Sequence, residues 1–281
     1  MSTALLLLIL CAAFLHAVWN LFAKKTGGSL TVLWMGALVS TLATLPSAVA
    51  VQAGRPLSQR GLVIGIISGF VHCVYWWGLA RMYRRGDISL AYPIARGSGV
   101  MGTAIGSTLL LHESISPLGA AGIASVCAGV FALGFQRRSE PVRTRVVMLA
   151  LLTGLTITGY SLLDDRGVDL VAPPVYLAIE TGVGVLLLTL LGWRRLQVAA
   201  PTLYPRYKRA VWMIGIGSPL TYLIILFAYS RGPVSYIVAV REFSVVIAAL
   251  LGARFLNEKI SALRWAGIAL VVTGMVMIKL A

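Results

Sequence analysis

Acidic residues are scarce. Nine aspartates and glutamates stand against 24 lysines and arginines in 281 residues, and the four types together make up 12% of the chain. A soluble domain needs roughly 25% charged residues to cover its surface, so this composition excludes one. Cysteine is nearly absent as well. Cys11, Cys73 and Cys127 are an odd number, each inside an apolar run. That excludes a disulfide framework and offers no metal spacing, so the three read as free thiols used as small apolar residues. Catalytic signatures are missing too. There is no HExxH, no GxSxG and no phosphate loop, and Gly97-Ser98-Gly99-Val100 lacks the spacing of a nucleophile elbow. Neither enzyme activity nor a cofactor is expected.

What the chain has instead is apolar length. It is 58% hydrophobic with a mean hydropathy of +0.88, and its apolar runs of roughly 20 residues are evenly spread, the pattern of an all-α, polytopic membrane protein. The runs predict ten transmembrane helices, over 4–22, 30–51, 61–79, 88–111, 115–135, 146–163, 174–193, 210–229, 234–255 and 262–280. The first is too long for a signal-peptide core and lacks a basic flank and a cleavage site, so it is expected to be retained. The formal charge of +15 lies in short connections. It therefore points to the lipid bilayer as partner and not to nucleic acid. Odd-numbered connections hold 17 lysines and arginines and even-numbered ones four, which predicts both termini outside.

Two segments break the apolar pattern with charge. Arg96 sits mid-run in Tyr92-Pro93-Ile94-Ala95-Arg96-Gly97, and Arg241-Glu242 sits in the ninth run. An intramembrane arginine costs roughly 3 to over 10 kcal/mol unless it faces protein or a wet cavity, and its default reading is functional. Pro93 is expected to bend its helix. A repeat also emerges. Arg85-Gly86-Asp87-Ile88-Ser89 resembles Arg231-Gly232-Pro233-Val234-Ser235 at an offset of 146, and Ala121-Gly122-Ile123-Ala124 matches Ala266-Gly267-Ile268-Ala269 at 145. His112-Glu113-Ser114-Ile115-Ser116 likewise resembles Asn257-Glu258-Lys259-Ile260-Ser261. Two units follow, 1–138 and 146–281, joined by a basic linker at 139–145. Five spans per unit make them inverted repeats, with a site expected at their interface. Depending on where the one-residue slip falls, Arg96 matches Arg241 or Glu242.

These residues resemble the drug/metabolite transporter superfamily, in particular its ten-helix EamA-type members. The resemblance rests on the duplicated unit, on Glu113 and Glu258 before small-residue helices, on His16-Ala17-Val18-Trp19-Asn20, on the stretch from Arg85 to Gly97, and on Arg241-Glu242. It implies a secondary active transporter. Such a protein would move a small polar metabolite, an amino acid or small organic anion, across a bacterial-type inner membrane by alternating access. The alternative it implies is a lipid-linked sugar flippase or an accessory subunit of one.

The candidate substrate-binding residues are Arg96, Tyr92, Arg241, Glu242, Trp19, Asn20 and Tyr160. Arginine's planar fork suits a carboxylate or phosphonate. Tyr92, Arg96, Gly99 and Thr103 recur on one helix face, as do His16, Trp19 and Asn20. Arg241 and Glu242 point about 100° apart and so need separate partners. Glu242, His16 and Glu180 are the candidates for a coupling proton. Thr153, Thr156, Tyr160 and Asp164 form a further stripe, although Asp164 and Asp165, at the predicted membrane edge, read as solvated or capping a loop. His72, Tyr75 and Trp76 read as packing. Ten helices can enclose their own cavity, so a functional monomer is expected.

Overall fold

In hydrocarbon a backbone amide finds a partner only within its own segment, so apolar spans of this length become helices. The computed structural model describes residues 1–84, 88–134, 144–256 and 260–281. Among these, the regular elements are α1 (Thr3–Lys25), α2 (Leu30–Gln52), α3 (Gln59–Arg84), α4 (Ile88–Leu110), α5 (Pro117–Gly134), α6 (Thr144–Val168), α7 (Pro173–Tyr229), α8 (Val234–Arg241), α9 (Phe243–Leu256) and α10 (Ala262–Leu280). Ser2, Ser29 and Ser261 cap α1, α2 and α10, each side-chain oxygen accepting from the amide three residues on, as short polar residues do at helix starts. Eight helical stretches among the described residues are long and apolar enough to cross a membrane. Leu42, Leu109, Leu155 and Leu190 point outward, an apolar exterior that a bilayer covers. The chain is an integral membrane protein. The predicted linker lies outside the described residues up to 143, and Thr144 and Arg145 open α6. Arg85-Gly86-Asp87 and Asn257-Glu258-Lys259 also lie outside them.

Two elements differ from the sequence reading. The seventh and eighth predicted spans are joined, because α7 continues through 194–209 and departs from helical geometry only at Tyr207 (φ −118°, ψ 16°). Arginine, leucine, glutamine and alanine in that stretch favour helix, and Leu196 is buried. The ninth span is split. α8 ends at Arg241, α9 begins at Phe243, and Glu242 lies between them. Each charge then sits where a helix end favours it. Arg241 occupies the C-terminal end of α8, and Glu242 precedes the N-terminus of α9. By contrast, α4 runs through Pro93 without interruption. Every residue of α8 is buried, so the split helix occupies the middle of the molecule.

α5 and α10 pack back to back through glycine. A Cβ added at Gly122 would meet the Gly274 carbonyl oxygen at 2.8 Å, and one at Gly274 would meet that of Gly122 at 2.5 Å. Gly129 and Gly267 oppose each other in the same way at 2.6 and 2.9 Å. The pairing order makes the two helices antiparallel, and the close approach fits small-residue packing in membranes. Gly274→Val is therefore expected to lower the thermal unfolding midpoint, at a cost of about 1–3 kcal/mol or more from overpacking. Gly159→Ala is expected to raise it, since the nearest atom there is 3.6 Å away and alanine exceeds glycine in helix propensity by about 0.8–1 kcal/mol. Equal midpoints for the two variants would remove the close-contact explanation.

Candidate functional site

A cavity of about 70 Å³ lies between α1, α2, α3, α6, α7 and α8. Its wall includes His16 and Trp19 from α1, His72, Tyr75 and Trp76 from α3, Tyr160 from α6, Glu180 and Tyr222 from α7, and Arg241 from α8. The break after Arg241 ends α8 at the wall. There the Arg241 Nη2 donates to the Tyr160 hydroxyl at 3.1 Å, and the guanidinium carbon lies 6.0 Å from the Tyr160 ring centre. Arg241 is 3% exposed. Its Nε has no hydrogen-bond partner among the described residues, and no carboxylate among them pairs with it.

Glu242, one residue on, points elsewhere. It meets Arg96 of α4 in a two-point ion pair, with Nε donating to Oε2 at 2.9 Å and Nη2 lying 2.6 Å from Oε1. The two side chains are 1% and 0% exposed. Tyr92 accompanies them, the guanidinium lying 6.0 Å from its ring centre. Neither Arg96, Tyr92 nor Glu242 lines the cavity. The small-residue stripe around Arg96 packs against α6: Gly99 faces Ile157, and Gly102 faces Thr158.

Of the residues singled out in the sequence, Trp19, Tyr160, Arg241, His16 and Glu180 meet at the cavity. The His16 and Trp19 rings stand edge to face, 4.9 Å between centres. Asn20 turns to its own helix, its Nδ2 donating to the His16 carbonyl at 3.1 Å.

A second group was not anticipated. Asp164 is fully buried, which corrects its reading as a solvated edge residue. α6 extends beyond it to Val168, and three hydroxyls satisfy the carboxylate. Ser68 Oγ and Tyr176 OH donate to Oδ1, the latter at 2.8 Å, and Tyr222 OH donates to Oδ2. His72 is more than packing. Its Nε2 lies 3.3 Å from Glu180 Oε1, and its ring stacks on Tyr160 with centres 4.1 Å apart. A sequence signal that could have found its α3 side is Ser68 and His72 at i, i+4 on the face shared with Tyr75 and Trp76. One ligand-type atom each of His72, Asp164 and Glu180 lies within 4.8 Å of the others. Both Asp164 oxygens and His72 Nδ1 take part in hydrogen bonds, which join the cluster into a hydrogen-bonded chain.

The model of the EamA-like transporter family matches residues 144–280. No curated protein matches the chain. A crystal structure of another protein superposes on it with a TM-score of 0.76, covering 100% of this chain and 98% of that one at 16% identity. That likeness concerns the fold.

Proposed function

We propose that this chain, whose residues 144–280 match the model of the EamA-like transporter family, is a secondary transporter of a small polar metabolite, an amino acid or small organic anion. It works by alternating access in a bacterial-type inner membrane, with both termini outside. α7 supplies two crossings, one on each side of Tyr207, and α8 with α9 supplies one, giving ten crossings in two inverted units, 1–138 and 146–281. The glycine contacts support this plan. Gly122 and Gly129 match Gly267 and Gly274 at an offset of 145, and each touches the counterpart of the other, as positions related by a two-fold axis must.

The observation that carries the reading is Arg241, a buried guanidinium at the cavity wall with an uncommitted Nε. A buried cation without a carboxylate partner calls for an anion, and the cavity that Arg241 lines is the space beside it. A volume of about 70 Å³ favours a small solute over a lipid-linked sugar. A panel of amino acids and small organic acids added to the purified protein is expected to contain members that raise its thermal midpoint. A ligand at 100 times its dissociation constant contributes about 2.7 kcal/mol. Arg241→Ala is expected to abolish that rise and the uptake of the same compounds into proteoliposomes. Arg241→Lys, lacking the planar fork, is expected to recover only part of it. An unaltered ligand response in folded Arg241→Ala would sink the anion-anchor role.

A further inference from the structure

His72 and Glu180 face each other at the cavity wall, and their geometry calls for one more hydrogen than a neutral imidazole and an ionised carboxylate provide. His72 Nδ1 lies 3.1 Å from the backbone carbonyl oxygen of Ser68. A carbonyl oxygen only accepts, so Nδ1 carries a hydrogen. Ser68 Oγ lies 3.3 Å from the same nitrogen and gives its own hydrogen to Asp164, so it too is an acceptor from Nδ1. A neutral ring protonated at Nδ1 has a bare lone pair at Nε2. That lone pair meets Glu180 Oε1 at 3.3 Å, with both side chains inside the protein. Against an ionised carboxylate this contact would be repulsive. It is attractive with one proton between the two atoms, held on Nε2 as an imidazolium or on Oε1 as a carboxylic acid.

The surroundings ask for the same proton. From α6, Asp164 and Tyr160 face the pair; from α7, Tyr176 and Tyr222; from α8, Arg241. With the tyrosines neutral, Asp164 and Glu180 would be two like charges in one buried cluster. A single added proton leaves one of the two and relieves their repulsion.

We propose that His72 and Glu180 form a one-proton binding site, joined through Ser68 to Asp164, and that this site couples the transporter to the proton gradient. The coupling half rests on the transport reading above; the proton site does not. The chain of hydrogen bonds runs from the cavity wall at Glu180 to Asp164, which precedes the partly exposed Asp165 and the exposed Arg166 at the end of α6. It is oriented for transfer in that direction. Glu180 Oε1 gives its proton to Nε2, Nδ1 gives its own to Ser68 Oγ, and Ser68 gives its hydrogen to Asp164. One O–H or N–H bond forms for each that breaks, and no other reactant is needed.

The test uses the full chain in lipid nanodiscs with ¹⁵N-labelled histidine. Three histidines are present, and His72→Gln identifies the signal of interest. The expected result is an Nδ1-protonated His72 whose Nε2 signal changes on titration from acid to alkali. Infrared spectra over the same range are expected to show a carboxylic-acid band that folded Glu180→Gln loses. A His72 ring bare at Nδ1 overturns the proposal. So does a His72 signal constant across the titration, or one that follows added sodium or zinc in place of pH. These readings come from the native chain and stand even where Glu180→Gln does not fold. Proteoliposomes holding a pH-sensitive dye, given a mixture of the twenty common amino acids and small organic acids, then test the coupling. Proton movement should accompany uptake in the native protein and disappear in Glu180→Gln. Uptake with no proton movement overturns the coupling half. If none of these compounds is taken up, it is the cargo assignment that fails, and the titration still decides the proton site.

Discussion

Arg96→Met is expected to destabilise the protein by about 3–5 kcal/mol, the usual penalty for stranding one partner of a buried ion pair. Total stabilities are typically about 5–15 kcal/mol, so this single change removes a large share. The stranded group is Glu242, 0% exposed, at the junction where α8 stops and α9 starts. Its own amide bonds back to the Ala239 carbonyl at 3.1 Å and its carbonyl accepts from Val245 at 2.9 Å, so the backbone holds the carboxylate at the buried junction. Glu242→Met should cost a similar amount by stranding Arg96. The double variant Arg96→Met/Glu242→Met should recover most of the loss, because an apolar pair of similar volume needs no desolvation. The double-mutant cycle therefore carries a large coupling energy, read from thermal unfolding of the four proteins in one detergent. The same double variant separates two roles for Arg96. If the pair is a clamp between α4 and the α8–α9 junction, ligand-induced stabilisation survives in it. Loss of the ligand response in a folded double variant would return Arg96 to the substrate site.

The spans could be read from the sequence because crossing hydrocarbon requires about 20 apolar residues, and little else produces such runs. α10 shows this at its best, predicted over 262–280 and found at Ala262–Leu280. Hydropathy marks what crosses a membrane, not everything that is helical. Residues 194–209 are charged and carry Pro201 and Pro205, so they read as a connection, yet their helix-favouring residues extend α7 to Tyr207. The break at Glu242 was invisible to hydropathy for the opposite reason. Residues on both sides are apolar, and only the adjacent opposite charges marked it.

The site was legible where a residue was out of place for its depth. Arg241 and Glu180 were conspicuous as charges within apolar runs, and His16, Trp19 and Tyr160 as members of polar faces. The repeat matched Arg96 with either Arg241 or Glu242 as its counterpart, which is a matter of register; the ion pair that Arg96 forms with Glu242 is a contact between helices that no repeat offset announces. Asp164 was misread because its position near the end of a run speaks of depth and not of surroundings. Its partners come from α3 and from both arms of α7, and no local pattern announces hydroxyls that arrive from 96, 12 and 58 residues away. His72 failed in the same way, since an aromatic face on one helix reads as packing until the carboxylate of another helix is opposite it.

Asp164→Leu is expected to have an effect comparable in size to that of Arg96→Met. The substitution takes the acceptor away from three hydroxyls, those of Ser68, Tyr176 and Tyr222, in a region where Asp164 itself is fully buried. Each buried donor left unpaired costs about 1–3 kcal/mol, so the sum is several kcal/mol, visible as a large fall in the unfolding midpoint. Asp164→Asn keeps one carbonyl acceptor and offers an amide that a tyrosine oxygen can accept, so its loss should be well under half as large. The assignment to hydrogen bonding, as opposed to lost volume, has its own check. Tyr222→Phe alone should cost about 1.5–3 kcal/mol, because its bond goes to a charged acceptor. In the Asp164→Leu background the same change should be neutral or stabilising, since it removes a donor already without a partner. Equal costs for Tyr222→Phe in both backgrounds would show that the carboxylate does not hold the three helices together through these hydroxyls.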